Sequence, residues 1–439
     1  MSQTWGRVEL KRFRLLVAGN AVSAYGSYLN MVALNVFVYH LTGSALTAGL
    51  YMAVRLLTSV ASGVVAGALA SRIPRKRLMV GADLTQATAL VLLLLAPSGA
   101  RVALLFALAV VAGACSTVSG VSLRSAVPEI VGAELRTRAN SLLATGRSLA
   151  MVAGFGSAGI IVAQLGYRWA FALDALSFVV SASVLLSLPI RTEAARKSEA
   201  AAEVAKAEQD GGGRWATLML LRSMPVVAVM VLVRAVDGLG SSSHNVALPV
   251  YSDALDHAHP AAFIGQFWAT WAIGNIAMQQ ILSRWSSRTG HSPGERIFAL
   301  GACVMSAAFI LVFSGLPTVL AVVVALVAGM ADGLTEVAYV SRLQTTPDAQ
   351  RARLFGLSAS VENLGFGLGM ILSGALLEHF SPLQVVGGLH GLAILLCVGF
   401  LLLLVRGAVA RRATPAAGRA TPADGAADGR VPASEGGRA

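Results

Sequence analysis

Residues 138–159 read RANSLLATGRSLAMVAGFGSAG, and residues 353–374 read RLFGLSASVENLGFGLGMILSG. With Arg138 set against Arg353 the two stretches run without a gap. Leu142 meets Leu357, Leu149 meets Leu364, Gly154 meets Gly369 and Gly159 meets Gly374. Each follows a Pro-acid step, Pro128-Glu129 and Pro347-Asp348. A chain with 45 glycines yields some glycine matches by chance, but not the same order and spacing at the same place in each half. Both stretches are mostly apolar and about 20 residues long, which as a helix crosses the hydrocarbon core of a bilayer. The chain is therefore a duplication built from membrane-length helices.

Working outward, the same kind of segment recurs. Twelve candidate spans lie near 14–40, 45–70, 78–97, 101–123, 138–165 and 168–189, then near 223–250, 261–283, 296–315, 317–340, 354–378 and 383–405. Composition agrees. The 439 residues are 56% hydrophobic and 13% charged, with mean hydropathy +0.70, against about a quarter charged in soluble domains. The expected fold is all-α and integral to the membrane: twelve transmembrane helices in two pseudo-symmetric six-helix halves, 1–190 and 223–406. Between them, 191–222 is rich in Ala, Glu, Lys and Arg and ends in Gly211-Gly212-Gly213, so it reads as an aqueous linker with a short surface helix. Residues 407–439 are too poor in apolar residues to fold and are expected to form a disordered tail.

The net charge of +12 does not point to nucleic acid, because the basic residues sit between apolar spans. Of the 34 Lys and Arg, 29 fall in the N-terminus, the even-numbered connections and the tail. Two, Arg101 and Arg168, fall in odd-numbered connections, and Arg55, Arg147 and Arg234 lie within spans. The positive-inside rule then puts both termini in the cytoplasm. The connection from Tyr251 to Pro260, with Asp253, Asp256, His257 and His259 and no basic residue, reads as an outer loop. Cys115, Cys303 and Cys397 lie inside apolar stretches and read as small buried residues. No signal-peptide pattern opens the chain. No nucleotide-cradling Gly-x-x-x-x-Gly-Lys-Ser/Thr loop and no metal-ligand cluster is seen, so no enzyme activity and no cofactor is expected.

Between spans two and three the chain reads Gly67-Ala68-Leu69-Ala70-Ser71-Arg72-Ile73-Pro74-Arg75-Lys76-Arg77. Pro128-Glu129-Ile130-Val131 precedes Arg138-Ala139-Asn140-Ser141-Leu142, and span six holds Phe171-Ala172-Leu173-Asp174-Ala175-Leu176-Ser177-Phe178. These residues resemble the major facilitator superfamily over about residues 10 to 406, and most of all its bacterial drug and siderophore exporter branch. The resemblance implies a cytoplasmic gate loop carried by Gly67, Arg72, Arg75, Lys76 and Arg77. Ser71 stands where the family has aspartate and Pro74 where it has its second glycine. Glu129 and Asp83 are the carboxylates available in place of the missing one. The exporter pattern Gly-Pro-x-x-Gly-Gly of span five appears here as Gly154-Phe155-Gly156-Ser157-Ala158-Gly159, without its proline. A parallel repeat of six-helix halves is also the plan of transporters whose substrate path runs between the halves.

A charge at mid-membrane costs roughly 2.5 kcal/mol or more, so each needs a reason. Arg234 and Asp237 lie three apart on one face of span seven, as a self-neutralising pair or a binding element. Asp332 and Glu336 lie four apart on one face of span ten. Like charges there repel, and a proton taken up by either relieves the repulsion, which suits proton coupling; alternatively Glu336 meets water and pairs with Arg342. Arg147 and Glu362 occupy matching repeat positions, either to meet across the halves in one state or to pair within their own halves. Arg55 and Asp174 read as structural. Asp332, Asp237, Glu362 and Glu336 are thus the proton-coupling candidates, with Arg234, Arg147 and Arg55 as interior partners. Asn20, Tyr28, Asn30, His244, Asn245 and Trp268 are the candidate cavity contacts; Trp268 and Trp271 could equally anchor span eight at the interface.

The expectation is a proton-coupled exporter of a small amphipathic organic molecule (drug, antibiotic, siderophore or other natural product) working by alternating access. It would act as a monomer in the lipid bilayer of a bacterial plasma membrane, with protons and a small-molecule substrate as partners and no nucleic acid. Uptake or lipid transfer on the same fold, or a non-transporting scaffold or sensor, are the alternatives.

Overall fold

The computed structural model describes residues 2–132, 135–188, 221–346 and 348–413. Those residues form the twelve long α-helices that follow, a single 3-10 turn, and a helical stretch at 221–223 just before the seventh. The first half comprises α1 (Ser2–Thr42), α2 (Ala45–Arg72), α3 (Arg75–Leu95), α4 (Arg101–Val131), α5 (Arg136–Leu165) and α6 (Tyr167–Ser187). The second comprises α7 (Pro225–Leu255), α8 (Pro260–Thr289), α9 (Glu295–Val312), α10 (Thr318–Gln344), α11 (Asp348–Leu377) and α12 (Pro382–Ala413). Each expected span is a helix. The expected linker lies outside the described residues except for 221–222, and so does the tail beyond 413. From 407 to 413 the chain departs from the expected disorder by continuing α12.

Local chemistry sets the breaks. Ser44 caps α2 by accepting from the Thr47 N–H at 3.1 Å. Gly166, at φ 83°, turns the chain between α5 and α6 in a region that a Cβ disfavours. Pro225 and Pro260 open α7 and α8, where a missing N–H costs nothing. Eleven of the described helices are long and apolar enough to cross a membrane. The twelfth, α8, falls short because it carries Gln266, Thr270, Asn275, Gln279 and Gln280, yet it packs against α5 and α10 in the same bundle.

The packing repeats with the sequence. In the first half α1 lies on α5 and α6, α4 on α2 and α3, and α3 on α6. In the second half α7 lies on α11 and α12, α10 on α8 and α9, and α9 on α12. Adding six to each helix number converts one set of neighbours into the other. The main contacts between the halves, α2 with α11 and α5 with α8, exchange under the same operation.

The matched glycines hold equivalent posts. A Cβ on Gly154 would lie 2.7 Å from the Tyr25 carbonyl on α1, and one on Gly369 would collide with Ser242 on α7. Both sit at seams inside a half. A Cβ on Gly159 would lie 2.6 Å from Ala262 Cα on α8, and one on Gly374 2.9 Å from the Ala45 carbonyl on α2. These sit at the seams between halves. They close the bundle at the end opposite the basic α2–α3 and α4–α5 connections. The buried core follows this closure: its largest cluster includes Leu29, Phe155, Ile264, Phe267, Met305 and Phe309, from both halves.

Candidate functional site

Helix α7 places Arg234 and Asp237 three residues apart on one face, and both are buried. Arg234 Nη2 donates to Glu336 Oε2 of α10 at 2.9 Å and to Glu362 Oε1 of α11 at 2.7 Å, and Nη1 donates to Asp237 Oδ2 at 3.4 Å. The guanidinium carbon also lies 5.5 Å from the centre of the Tyr339 ring, whose negative face favours a cation. Asp332, one turn before Glu336, accepts from Asn275 Nδ2 of α8 at 3.0 Å, and Asn275 Oδ1 in turn accepts from Gln279 at 2.7 Å. Arg234, Asp237, Asn275, Asp332, Glu336 and Glu362 line a cavity of about 410 Å³ together with Ser241, Asn363 and Phe366. Among the described residues lining it, one cation faces four carboxylates, and Asp237 Oδ1 has no hydrogen-bond partner.

The first half answers with the opposite sign. A cavity of about 770 Å³ is lined by Arg55, Arg124, Arg136 and Arg147, with Asp83 as its carboxylate, and by Asn20, Ser23, Ser27, Tyr28 and Gln86. It runs from mid-helix residues such as Tyr28 towards Arg124 and Arg136 at the basic end of the bundle. Arg55 and Leu56, adjacent on α2, line the first and second cavities respectively. The structure therefore sets an arginine-rich surface beside a carboxylate-rich one, and the end opposite is shut by the glycine seams.

The sequence candidates divide accordingly. Asp332, Asp237, Glu362, Glu336 and Arg234 come together at one cavity, and Arg147, Arg55, Asn20 and Tyr28 line the other. Arg147 and Glu362 do not pair here: Arg147 Nε donates to the Tyr28 hydroxyl at 2.9 Å. Glu336 meets Arg234 rather than Arg342, which instead donates to Glu295 Oε1 at 2.8 Å. Asn30 is committed elsewhere. Its amide donates at 2.6 Å to the buried carboxylate of Asp174, which Ser177 also supports. That fixes α1 on α6 and gives Asp174 the structural role expected of it.

Three other candidates fall outside both cavities. His244 is buried, stacked on Phe309 with centroids 3.8 Å apart, and within 3.1 Å of His390. Trp268 is buried edge-on against Trp271 and Phe267, in the core rather than at an interface. Asn245 turns its amide back to the Ser241 carbonyl at 2.8 Å. In the polar run 241–245 on α7, Ser241 lines the second cavity, while His244 and Asn245 are satisfied by neighbouring helices and by the helix's own backbone.

In the gate loop, Lys76 Nζ donates to the Leu186 and Leu188 carbonyls at 3.1 and 2.7 Å, capping the end of α6 where a cation is favoured. Arg75 is buried and donates to the Ser125 carbonyl at 3.0 Å. Arg72 and Arg77 are exposed, and a Cβ at Gly67 would meet nothing within 4 Å. Asp83 is buried and lines the first cavity; Glu129 has no described side chain. Sequence reasoning passed over Asn275 and Gln86, and named Asp83 only as a carboxylate for the gate loop rather than as a cavity residue paired with Gln86. Their signal was a polar residue, or two polar residues three apart, inside an otherwise apolar span.

Among the described residues, the arrangement is a set of charges lining two cavities in the two halves of a bundle. Comparison with known proteins gives it a family. Residues 16–347 match the model described as Major Facilitator Superfamily. The uncharacterized MFS-type transporter YjbB of Bacillus subtilis (strain 168) is 25% identical over 310 residues, 70% of this chain and 73% of that protein. Among solved structures, the nucleoside transporter NupG superposes with a TM-score of 0.67 at 15% identity, over 90% of this chain and 98% of that one. A bacterial homologue of the iron transporter ferroportin, in an inward-facing state, also gives 0.67, at 16% identity over 89% and 99%. At these identities the structures speak for the fold, and the family match for the class: this chain belongs to the Major Facilitator Superfamily and is a multi-pass membrane transporter, not an enzyme.

Proposed function

We propose that the chain is a proton-coupled exporter of small amphipathic organic molecules, working by alternating access in a bacterial plasma membrane with both termini in the cytoplasm. The observation that carries this reading is the Arg234 cluster. One guanidinium joins α7, α10 and α11, and the surrounding carboxylates outnumber it. A proton or a cationic group entering the cavity offsets the excess negative charge. A proton on Glu362 removes the ionic half of the tie to α11, and α11 is the helix that meets α2 of the other half. Local charge change is thereby linked to the inter-half seam, and the differential hold on the two states is what coupling requires.

The two cavities also suggest what is carried. A molecule with an anionic or acceptor-rich part suits the arginines of the first half, and a basic part suits the carboxylates of the second. Uptake of such a molecule is the second reading, since the structural relatives include nucleoside and peptide transporters by name.

Everted vesicles energised by respiration test both readings, using a panel of amphipathic dyes, antibiotics and siderophores and monitoring the pH gradient. Export predicts that a cargo discharges the gradient and accumulates inside, and that Asp332→Asn or Glu362→Gln sharply reduces both at normal protein levels. Accumulation only in right-side-out vesicles would replace export with uptake.

A further inference from the structure

At the closed end, the last turn of α1 brings His40 against the last turn of α7. His40 Nε2 lies 2.7 Å from Asp253 Oδ1, and His257 Nδ1, from the turn after α7, lies 2.9 Å from the same oxygen. The two imidazoles stack with centroids 5.6 Å apart and planes 20° from parallel, and the edge of Tyr167 packs on His40. One ligand atom from each of His40, Asp253 and His257 falls within 4.8 Å of the other two. Neither the cavities nor the Arg234 cluster uses these residues.

We infer that His40, Asp253 and His257 form a site for a borderline divalent transition metal, Zn²⁺ above all, that staples the two halves together at the closed end. Two imidazole nitrogens and a carboxylate oxygen are a common zinc ligand set, with a water in the fourth position. Imidazole disfavours Mg²⁺ and Ca²⁺, which take oxygen ligands. The ligand atoms already converge, so a metal needs only to enter between the rings and the carboxylate. Access is open: the side chain of His257 is 86% exposed and that of Asp253 20%. His40 belongs to the first half and the other two to the second, so the set is complete only while the halves meet at this end. A metal bound there favours that state by mass action. The inference is independent of cargo and direction.

The test uses the purified full chain in detergent, titrated with Zn²⁺ and separately with Ca²⁺, read by calorimetry and thermal melting. The expected result is one Zn²⁺ bound per chain with a rise in melting temperature, and no response to Ca²⁺. His40→Ala and His257→Ala should each weaken Zn²⁺ binding by at least about 10–100-fold, the cost of losing even an outer-shell partner, since each deletes one of three ligands. His257 is exposed, so its substitution leaves the fold intact and the comparison valid. Absence of Zn²⁺ binding by the unaltered chain, or unchanged binding by the His257→Ala variant, would overturn the site. Dependence on His257 but not on His40 would overturn the staple between halves.

Discussion

Arg147 and Glu362 hold the same position in the two repeats, 215 residues apart in numbering, yet each is engaged within its own half. Arg147 Nε donates to Tyr28, and Glu362 accepts from Arg234. The duplication has preserved a charged position and inverted its sign. Because Glu362 is the α11 end of the Arg234 cluster, Glu362→Gln should uncouple the cluster from the inter-half seam without emptying it of carboxylates. Transport of a cargo found in the vesicle screen should fall by about tenfold or more, within the range of a coupling free energy of about 1–3 kcal/mol. Melting temperature should change little. Loss of stability with transport retained would assign Glu362 to the fold alone.

Arg234 should behave in the reverse way. Its side chain is buried and balances carboxylates from three helices. Arg234→Met leaves those carboxylates without their cation. Breaking a buried pair by removing one partner costs about 3–5 kcal/mol, so the variant should melt markedly lower or fail to accumulate in membranes. Arg234→Lys should recover only part of this, because an ammonium cannot reproduce the planar fork that reaches Glu336, Glu362 and Asp237 together. Adding Glu362→Gln to Arg234→Met removes one of the four uncompensated carboxylates and should recover part of the stability, which a double-mutant cycle of melting temperatures measures.

Asn30 and Asn20 both lie on α1, and the sequence offered no means to separate them. The structure does. Asn30→Ala removes the donor to the buried Asp174 carboxylate, leaving a buried acceptor short of a partner at a cost of about 1–3 kcal/mol. It should lower the melting temperature. Asn20→Ala removes a cavity-lining group and should change apparent cargo affinity instead. If the two effects were exchanged, the assignment of cavity and core on α1 would be wrong.

That pair shows where sequence reading works and where it stops. Span number, the two halves and the positions of the charges follow from one-dimensional quantities: apolar length, basic-residue distribution and repeat spacing. Arg234 with Asp237 was visible because both lie on one helix. Its ties to Glu336 and Glu362 join residues more than 100 positions apart, and no local pattern encodes that distance. His244 misled for the same reason. His244 on α7 looks like a pathway lining until His390, from α12, and Phe309, from α9, are seen to enclose it. The matched glycines were legible as a repeat. Their division into seams within halves and seams between halves required the packed helices.

Glu378 closes a second contact at the shut end. Its carboxylate accepts from the Leu46 N–H at 2.9 Å and from the Ser44 hydroxyl at 2.8 Å, at the start of α2 in the other half. The Leu46 N–H first, then the Ser44 hydroxyl, hold it below the ordinary carboxylate range. A depressed value means that the contribution is present above the ordinary range and is lost as pH falls through the lowered one. Closure at this end should therefore weaken at strongly acidic pH. Glu378→Gln should weaken it at neutral pH and flatten the dependence. An exposed anion at a helix N-terminus contributes only about 0.3–1 kcal/mol, so the shift should be small. Thiol labelling of a cysteine introduced near this seam, after replacing Cys115, Cys303 and Cys397, measures it across pH.

Gly154 and Gly159 lie five residues apart on α5 and should fail in different ways. Gly154 faces α1 of its own half, where an added Cβ lies 2.7 Å from the Tyr25 carbonyl and 2.8 Å from Tyr28 Cβ. Gly154→Val pushes apart two helices that pack together within one half, and should lower stability. Gly159 faces α8 of the other half, where an added Cβ lies 2.6 Å from Ala262 Cα and 2.9 Å from the Ala261 carbonyl. Gly159→Val loads that crowding onto a seam which alternating access must open in any case. The variant can relieve it by parting the halves at this end while each half keeps its packing. It should melt close to the parent and expose an introduced cysteine at the seam to a membrane-impermeant thiol reagent. By the repeat, Gly374→Val should copy Gly159→Val at the α2–α11 seam and Gly369→Val should copy Gly154→Val. If both members of a pair destabilised the protein equally and neither changed labelling, the seams between halves would be as fixed as those within them, and rocking of one half against the other could not be the motion that moves cargo.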